Sequence, residues 1–453
     1  MSPFSHPVTV CLLFSILLLS LLTNSTIQAK QYQGVPSFSA KNTNTYSPTR
    51  SSYISSIMRL NMTYTHRFND FEVTISPDLD IDYTDQTDVI FSPTEYYLDL
   101  YLQKTDLRLG RQSFSWGSSP IQSLNNFLTP VTLTEFVLPD PEDLPDARLA
   151  LSVIQYFGAN YLHAVYAPAT RATELPDVES IWFPAQSAPS FVDLAFEPAQ
   201  ESSLFDGHQF AFRAALRSLP QLEIDLMGYY WTQPLPSLGI YFTPGAPGEN
   251  PLIMLQQELR RSWMAGAALS WSSGRWIVRQ EWLIIPDRQV HRFNIPVSRL
   301  RAFSLDPQSD LGVLSDFELR EDGYLISKPS LSNTTGFEAS LWGGTLGGEV
   351  QTRILYGVTD NILAEPITFS LTGFFERSFA NDRLQILSLG TYQPTGRDFW
   401  GRLEISYQAT DTFSIGTGGN VFSGPEPEPL YSELTFHSFR RNSSFYLKFT
   451  LDL

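Results

Sequence analysis

The chain of 453 residues holds one cysteine, Cys11, so it cannot build a disulfide framework or a thiolate metal site. Nor does any stretch of eighteen or more apolar residues follow residue 29, which excludes a membrane-spanning helix on length alone. Amphipathic helical periodicity is nearly absent as well; the nearest candidate, 256–261, is short and runs into a strand-like segment. Charge is sparse at 17% of residues, where a soluble domain carries about 25%. The six histidines, His6, His66, His163, His208, His291 and His437, are too far apart in sequence for a helical metal pair, and neither G-x-S-x-G nor a phosphate loop occurs. No enzyme, no cofactor and no metal centre is therefore expected. A net charge of −17 argues against nucleic acid as a partner.

What the chain has is alternation. From Asn442 to Leu453, Phe445, Leu447, Phe449, Leu451 and Leu453 fall on one face and Tyr446, Lys448, Thr450 and Asp452 on the other. A period-2 strand with one apolar and one polar face suits a sheet that has lipid on one side and water on the other. The same contrast recurs with Gln221, Glu223 and Asp225 against Leu222, Ile224 and Leu226, and with Arg402, Glu404, Ser406 and Gln408 against Leu403, Ile405 and Tyr407. A charge on the lipid face costs about 2–4 kcal/mol at the midplane, so charge must alternate inward and the interior should be wet. The fold class that follows is all-β: a transmembrane antiparallel β-barrel of about eighteen strands, range 16–20, each of roughly ten residues. Trp263, Trp271, Trp276, Trp282, Tyr96, Tyr229, Tyr230 and Trp231 are expected in its interfacial girdles.

The organisation expected from end to end is a signal peptide over 1–29, an N-terminal segment 30–54 in which a first strand is left open, and a barrel over 55–453. The apolar run 8–22 is too short to span, and cleavage is expected before Lys30, removing Cys11; no Lys or Arg precedes the run. Tight hairpins centre on Asn69-Asp70, Gly158, Pro220, Ser273-Gly274, Ala380-Asn381, Asp411 and Arg441-Asn442, with another between a strand ending near Gln103 and one from Asp106 to Trp116. Longer connections are read at 84–94, 117–148, 170–207, 233–254 and 287–334. If both chain ends face the periplasm, these tight turns fall on the wrong side; one unrecognised strand in 31–54 and another in 287–334 would restore the parity.

Arg108 to Gly117, with Arg108, Gly110, Arg111, Gln112, Trp116 and Gly117 at the fixed positions, resembles the R-x-G-R-Q-x-x-x-W-G hairpin of Gram-negative outer-membrane barrels of the porin-like and alginate-export-like groups. Asn126 to Pro130, Tyr161 to Pro168, Leu175-Pro176 and Trp182 resemble the downstream order of the porin-like group, although Thr129 separates Leu128 from Pro130. The resemblance covers about residues 95–185 and implies an envelope barrel. Its alginate-export arm implies anionic polymer as cargo.

The residues themselves mark several pore or constriction candidates. Asp140, Glu142, Asp143 and Asp146 crowd a loop long enough to enter a lumen, where unpaired acids would favour cations. Arg108 and Asp99 face inward, as do Arg213 and Arg217, and a clamp from Arg108 or Arg111 to a loop carboxylate is favoured over a ligand role. Asp78, Asp80 and Asp82 make a ladder at period 2, either a cation-attracting wall or a solvated strand end facing an arginine ladder such as Arg213 and Arg217. The function expected is an outer-membrane channel passing small polar or polymeric solutes. A plugged barrel serving surface-polymer attachment or envelope assembly is the alternative. Expected partners are outer-membrane lipid, the barrel-assembly machinery and a small polar or anionic-polymer solute.

Overall fold

The computed structural model describes residues 35–84, 88–121, 123–140, 143–183, 193–233, 236–243, 250, 252–305, 316, 323–426 and 435–453. The expected signal peptide, 1–29, lies outside them. The wall begins with β1 (Val35–Ser47), β2 (Ser52–Arg67), β3 (Phe71–Asp82), β4 (Asp88–Tyr101), β5 (Thr105–Gln112), β6 (Arg148–Phe157) and β7 (Asn160–Ala167). After β8 (Asp193–Glu197), which stands apart, it continues with β9 (Gln209–Leu216) and β10 (Leu222–Thr232). β11 (Ser237–Thr243) and β12 (Leu252–Glu258) join β8 in a separate small sheet, and the wall resumes with β13 (Arg261–Ser273), β14 (Trp276–Arg292), β15 (Leu325–Leu341) and β16 (Gly344–Leu355). The two-residue β17 (Ile362–Leu363) caps the end of β14. Strands β18 (Ile367–Phe379), β19 (Leu384–Gln393), β20 (Asp398–Gln408), β21 (Phe413–Ser423) and β22 (Ser444–Asp452) complete the ring.

Each wall strand pairs antiparallel with its neighbours, and β22 pairs back onto β1, from Ser39 with Asp452 to Tyr46 with Phe445. The result is a closed eighteen-stranded barrel, which leaves no sheet edge in lipid. Leu226, Leu403 and Phe445 point outward and are 55%, 50% and 66% exposed, whereas Asp225, Arg402, Glu404 and Tyr446 on the same strands are buried inside. The face assignment read from the alternation is therefore the one the barrel adopts.

The chain ends share one rim with eight short connections: 68–70, 102–104, 158–159, 217–221, 274–275, 342–343, 380–383 and 409–412. At 342–343, Trp342 and Gly343 both have positive φ, +52° and +74°, as a two-residue turn that matches strand twist requires. The opposite rim carries the long connections 113–147, 168–208, 233–260, 293–324 and 424–443.

Several boundaries differ from the sequence reading. The expected loop 84–94 is largely strand, because β4 starts at Asp88, and β5 stops at Gln112 rather than Trp116. Arg441-Asn442 is no tight hairpin; it ends a 3-10 helix (Phe436–Asn442) inside the connection 424–443. The strand sought in 31–54 is β1, which turns the parity the right way round. Segment 287–334 holds the end of β14, the helix α1 (Val297–Leu305) and the start of β15, whose turn into β16 carried no recognised signal.

Candidate functional site: the lumen and its inward loop

The hairpin motif acts as a springboard for the loop 113–147. Arg108 gives Nε and Nη2 to the two carboxylate oxygens of Asp99, at 2.7 and 2.9 Å. Gly110 has φ +145°, and a Cβ there would meet the Tyr96 carbonyl oxygen at 2.2 Å, so only glycine lets β5 lie against β4 at this point. Arg111 lies near the strand end with no register shift on either side, and its guanidinium binds Asp146. Gln112 is buried and donates to the Ala150 carbonyl at 2.9 Å. The clamp expected between one of the two arginines and a loop carboxylate is thus Arg111 with Asp146, while Arg108 holds a strand carboxylate.

Beyond the springboard the loop folds into the barrel. Phe114, Trp116 and Leu128 pack on inward side chains of β6 to β14, including Val165, Met227, Trp231 and Leu283. One acid fixes this half: Glu281 of β14, fully buried, accepts the backbone N–H groups of Ser118, Ser119 and Leu124 at 2.5, 2.6 and 2.9 Å, and the Asn125 side chain at 3.2 Å. A buried carboxylate is tolerable when several N–H donors converge on it. Tyr229 donates its hydroxyl to Asn125 Oδ1 at 3.1 Å. Tyr229 and Trp231, expected in the girdle, are 1% exposed inside the lumen because they share the phase of Asp225. Trp263, Trp271, Trp276 and Trp282 do face outward. The interior is wet only in part.

The second half of the loop reaches the opposite wall. Phe136, Val137 and Leu138 pack with Trp182 against Ile54, Trp400, Phe422, Phe436 and Phe439. Asp140 accepts from Lys41 at 2.8 Å, Arg402 at 2.6 Å and Lys448 at 3.3 Å. Asp143 accepts from Lys41 at 2.8 Å and from Arg59 at 3.0 Å. Burial alone would raise the Asp140 carboxyl, but the surrounding Lys41, Lys448 and Arg402 outweigh it and hold the group below the usual carboxylate range. Glu135 behaves oppositely: burial, together with the charges of Asp82 and Asp80, pushes it up to about 7 against the pull of Ser55 and Arg59. The acids expected to stand unpaired are therefore largely neutralised, and Glu142 lies outside the described residues.

Other candidates are likewise tied within the wall. Arg213 and Arg217 both hold Asp225, at 2.8 and 2.9 Å, and do not face the ladder on β3. Asp80 takes a two-point bond from Arg59, with both contacts at 2.7 Å; Asp78 binds Asn61 and Thr94, and Asp82 binds Thr84. No metal-holding group of histidines and acids occurs among the described residues.

Two cavities flank the loop. The larger, about 1340 Å³, lies toward β1 to β4 and β20 to β22, where ten acids and seven bases line it, Asp80, Asp140, Asp143, Arg59, Lys41 and Lys448 among them. The smaller, about 390 Å³, lies between the loop and the wall from β14 to β19. Its described lining includes Arg148, Arg171, Arg288 and Arg353, the amides of Gln233, Gln351 and Gln393, and no carboxylate. Arg148 is 2% exposed, stacks on Trp231 at 4.5 Å and gives its N–H groups to the carbonyls of Leu128 and Ala169. Sequence reasoning missed this basic group, because it places 148 at the end of a loop although Arg148 opens β6 in the inward phase of Ala150 and Ser152, and Arg171 lies in a connection with no alternation. Glu281 was missed too, although its inward position followed from the alternation of β14.

No protein-family model matches the chain, and no curated protein matches it. Solved structures do. OccK5 (OpdH) of Pseudomonas aeruginosa superposes with a TM-score of 0.50 at 10% identity, over 93% of this chain and 97% of that one. The outer membrane protein OpdK of the same organism gives 0.51 at 10% identity, over 93% and 99%, and OccK10 (OpdN) gives 0.50 at 9% identity, over 93% and 99%. At such identities the likeness is one of fold, and the fold is the closed antiparallel β-barrel derived above.

Proposed function

We propose that the protein is an outer-membrane channel for small polar solutes and that it prefers those carrying negative charge. The observation that carries this reading is the smaller cavity, where Arg148, Arg288, Arg353 and several amides line a space with no carboxylate among its described lining residues, while a fourth arginine there, Arg171, is paired with Glu201. Fixed positive charge at a narrow passage raises the local concentration of anions and lowers that of cations. The loop acids that would oppose this are occupied by Lys41, Arg59, Arg402, Lys448 and Arg111. An apolar outer face and tight turns on the rim of the chain ends support placement in an outer membrane, with that rim toward the periplasm. The likeness to OpdK, described as an outer membrane protein, supports the same placement. Two hydrophobic clusters hold the loop inside, which favours a second reading: a plugged barrel serving surface-polymer attachment or envelope assembly.

Planar-bilayer recording separates the two. A channel gives discrete conductance steps and, under a salt gradient, a reversal potential on the anion side; Arg288→Gln with Arg353→Gln should move that potential toward cations by several-fold in permeability ratio. Silence of the folded protein would leave the plugged barrel, and a cation-selective wild type would overturn the basic passage.

A further inference from the structure

The wall closes where β1 meets β22, and that junction carries two lysines on its inner face. Lys41 pairs in register with Thr450, and Lys448 with Thr43, so the lysines are diagonal neighbours across the closing strands. Diagonal neighbours lie about 7–8 Å apart, within reach of each other for long side chains. Both are about 15% exposed, and two ammonium groups so enclosed repel strongly.

Between them sits one atom of a distant loop. Asp140 Oδ2 accepts from Lys41 Nζ at 2.8 Å and from Lys448 Nζ at 3.3 Å, while its other oxygen takes Arg402 of β20 at 2.6 Å. Asp143, from the same loop, links Lys41 to Arg59 of β2. Around the junction Asp80, Asp140, Asp143 and Glu404 balance Lys41, Arg59, Arg402 and Lys448, four against four. Without the loop's two carboxylates the count is two against four. The outer face compensates little: Asn42 stands opposite Phe449 and Asn44 opposite Leu447, so β1 brings amides where other strands bring apolar cross-strand pairs.

We propose that Asp140 is the electrostatic keystone of barrel closure: β1 and β22 pair stably only when loop 113–147 has folded inward and set this carboxylate between Lys41 and Lys448. Loop insertion and closure of the wall then form one step. The inference does not depend on what the lumen conducts.

The test uses the whole chain in detergent with a crosslinking reporter, Ala40→Cys and Leu451→Cys, which face each other across the junction. Asp140→Asn should cut the oxidative crosslink at least threefold and lower by ten degrees or more the temperature at which the compact gel band converts to the unfolded one. Adding Lys448→Met to Asp140→Asn should restore most of both. Glu338→Gln, which releases Arg279 within the β14–β15 wall and touches neither the loop nor the junction, should leave the crosslink at the wild-type level. A wild-type crosslink in Asp140→Asn, no rescue by Lys448→Met, or an equal loss in Glu338→Gln would each overturn the keystone. If Asp140→Asn fails to assemble, the double variant decides: assembly supports the proposal and failure overturns it.

Discussion

Three carboxylates in or against the loop, Glu281, Glu135 and Asp140, show how far single positions could be read in advance. Glu281 was legible as inward from strand phase, but its role was not, because its donors are backbone N–H groups of a loop 157 to 163 residues earlier. Glu281→Ala leaves those buried donors without an acceptor, at about 1–3 kcal/mol for each one that water cannot reach. The expected outcome is a loosened loop, seen as greater open-state current noise and faster proteolysis within 113–147; wild-type noise and protection together would refute it. Glu135 predicts a pH dependence. A carboxyl raised from 4.5 to about 7 in the folded state binds its proton more tightly there than in the unfolded chain, so stability rises as pH falls through 7 toward 4.5. Heat conversion should therefore occur at a higher temperature at pH 5.5 than at pH 8, and Glu135→Gln should remove the Glu135 part of that difference. Asp140 has the opposite sign: its contribution is complete above about pH 4 and fades only in stronger acid. The pairing of Asp140 and Asp143 was hidden, since Lys41 meets both, and Lys448 meets Asp140, only once the ring is closed.

Among the elements, legibility followed how apolar the outward face is. β22 and β20 read directly, because Phe445, Leu447, Leu403 and Ile405 stand alternately against buried polar partners. β1 did not, because Asn42 and Asn44 occupy its outward positions and erase the contrast. β16 was lost for a related reason: Gly347 and Gly348 interrupt the pattern in the middle of the strand, and Phe374 and Phe337 fill the space a Cβ would take there. The face assignment in β22 is testable in the strand itself. Phe449, whose ring stacks with Phe413 of β21, faces lipid, and Thr450 faces the lumen. A cation on the lipid face would cost about 2–4 kcal/mol at mid-depth and an acid somewhat less, still a large share of a barrel's margin. Phe449→Asp should therefore prevent membrane assembly, while Thr450→Asp assembles normally; equal yields of the two in the membrane fraction would show the faces reversed.

At the scale of the molecule the ring and its contents obey different rules. The ring is a repeat of one local instruction, apolar outward and polar inward, so composition and alternation led to a barrel of about eighteen strands even though β1 and β16 were not individually placed. The contents are a single loop whose aromatic half sits on β6 to β14 and whose charged half sits near β1 and β22, an arrangement set by contacts across the lumen. Such contacts leave no periodic trace. They do give the whole molecule a distinctive response to unfolding, because the wall and the loop hold one another. Leu109, Leu226, Trp263, Phe337 and Phe445 expose large apolar side chains around the outside, a surface that needs detergent or lipid in place of water. A closed ladder has no free edge from which to unravel, so the folded form should persist in detergent at room temperature and migrate as a compact band until heated. With the loop cross-linking opposite walls, conversion should be a single sharp transition in which loop protection and the compact band disappear together. Two separated transitions, with the loop lost first, would mean that the wall stands without its contents. A chain that stays monomeric and folded in buffer free of detergent would remove the transmembrane reading of the barrel itself.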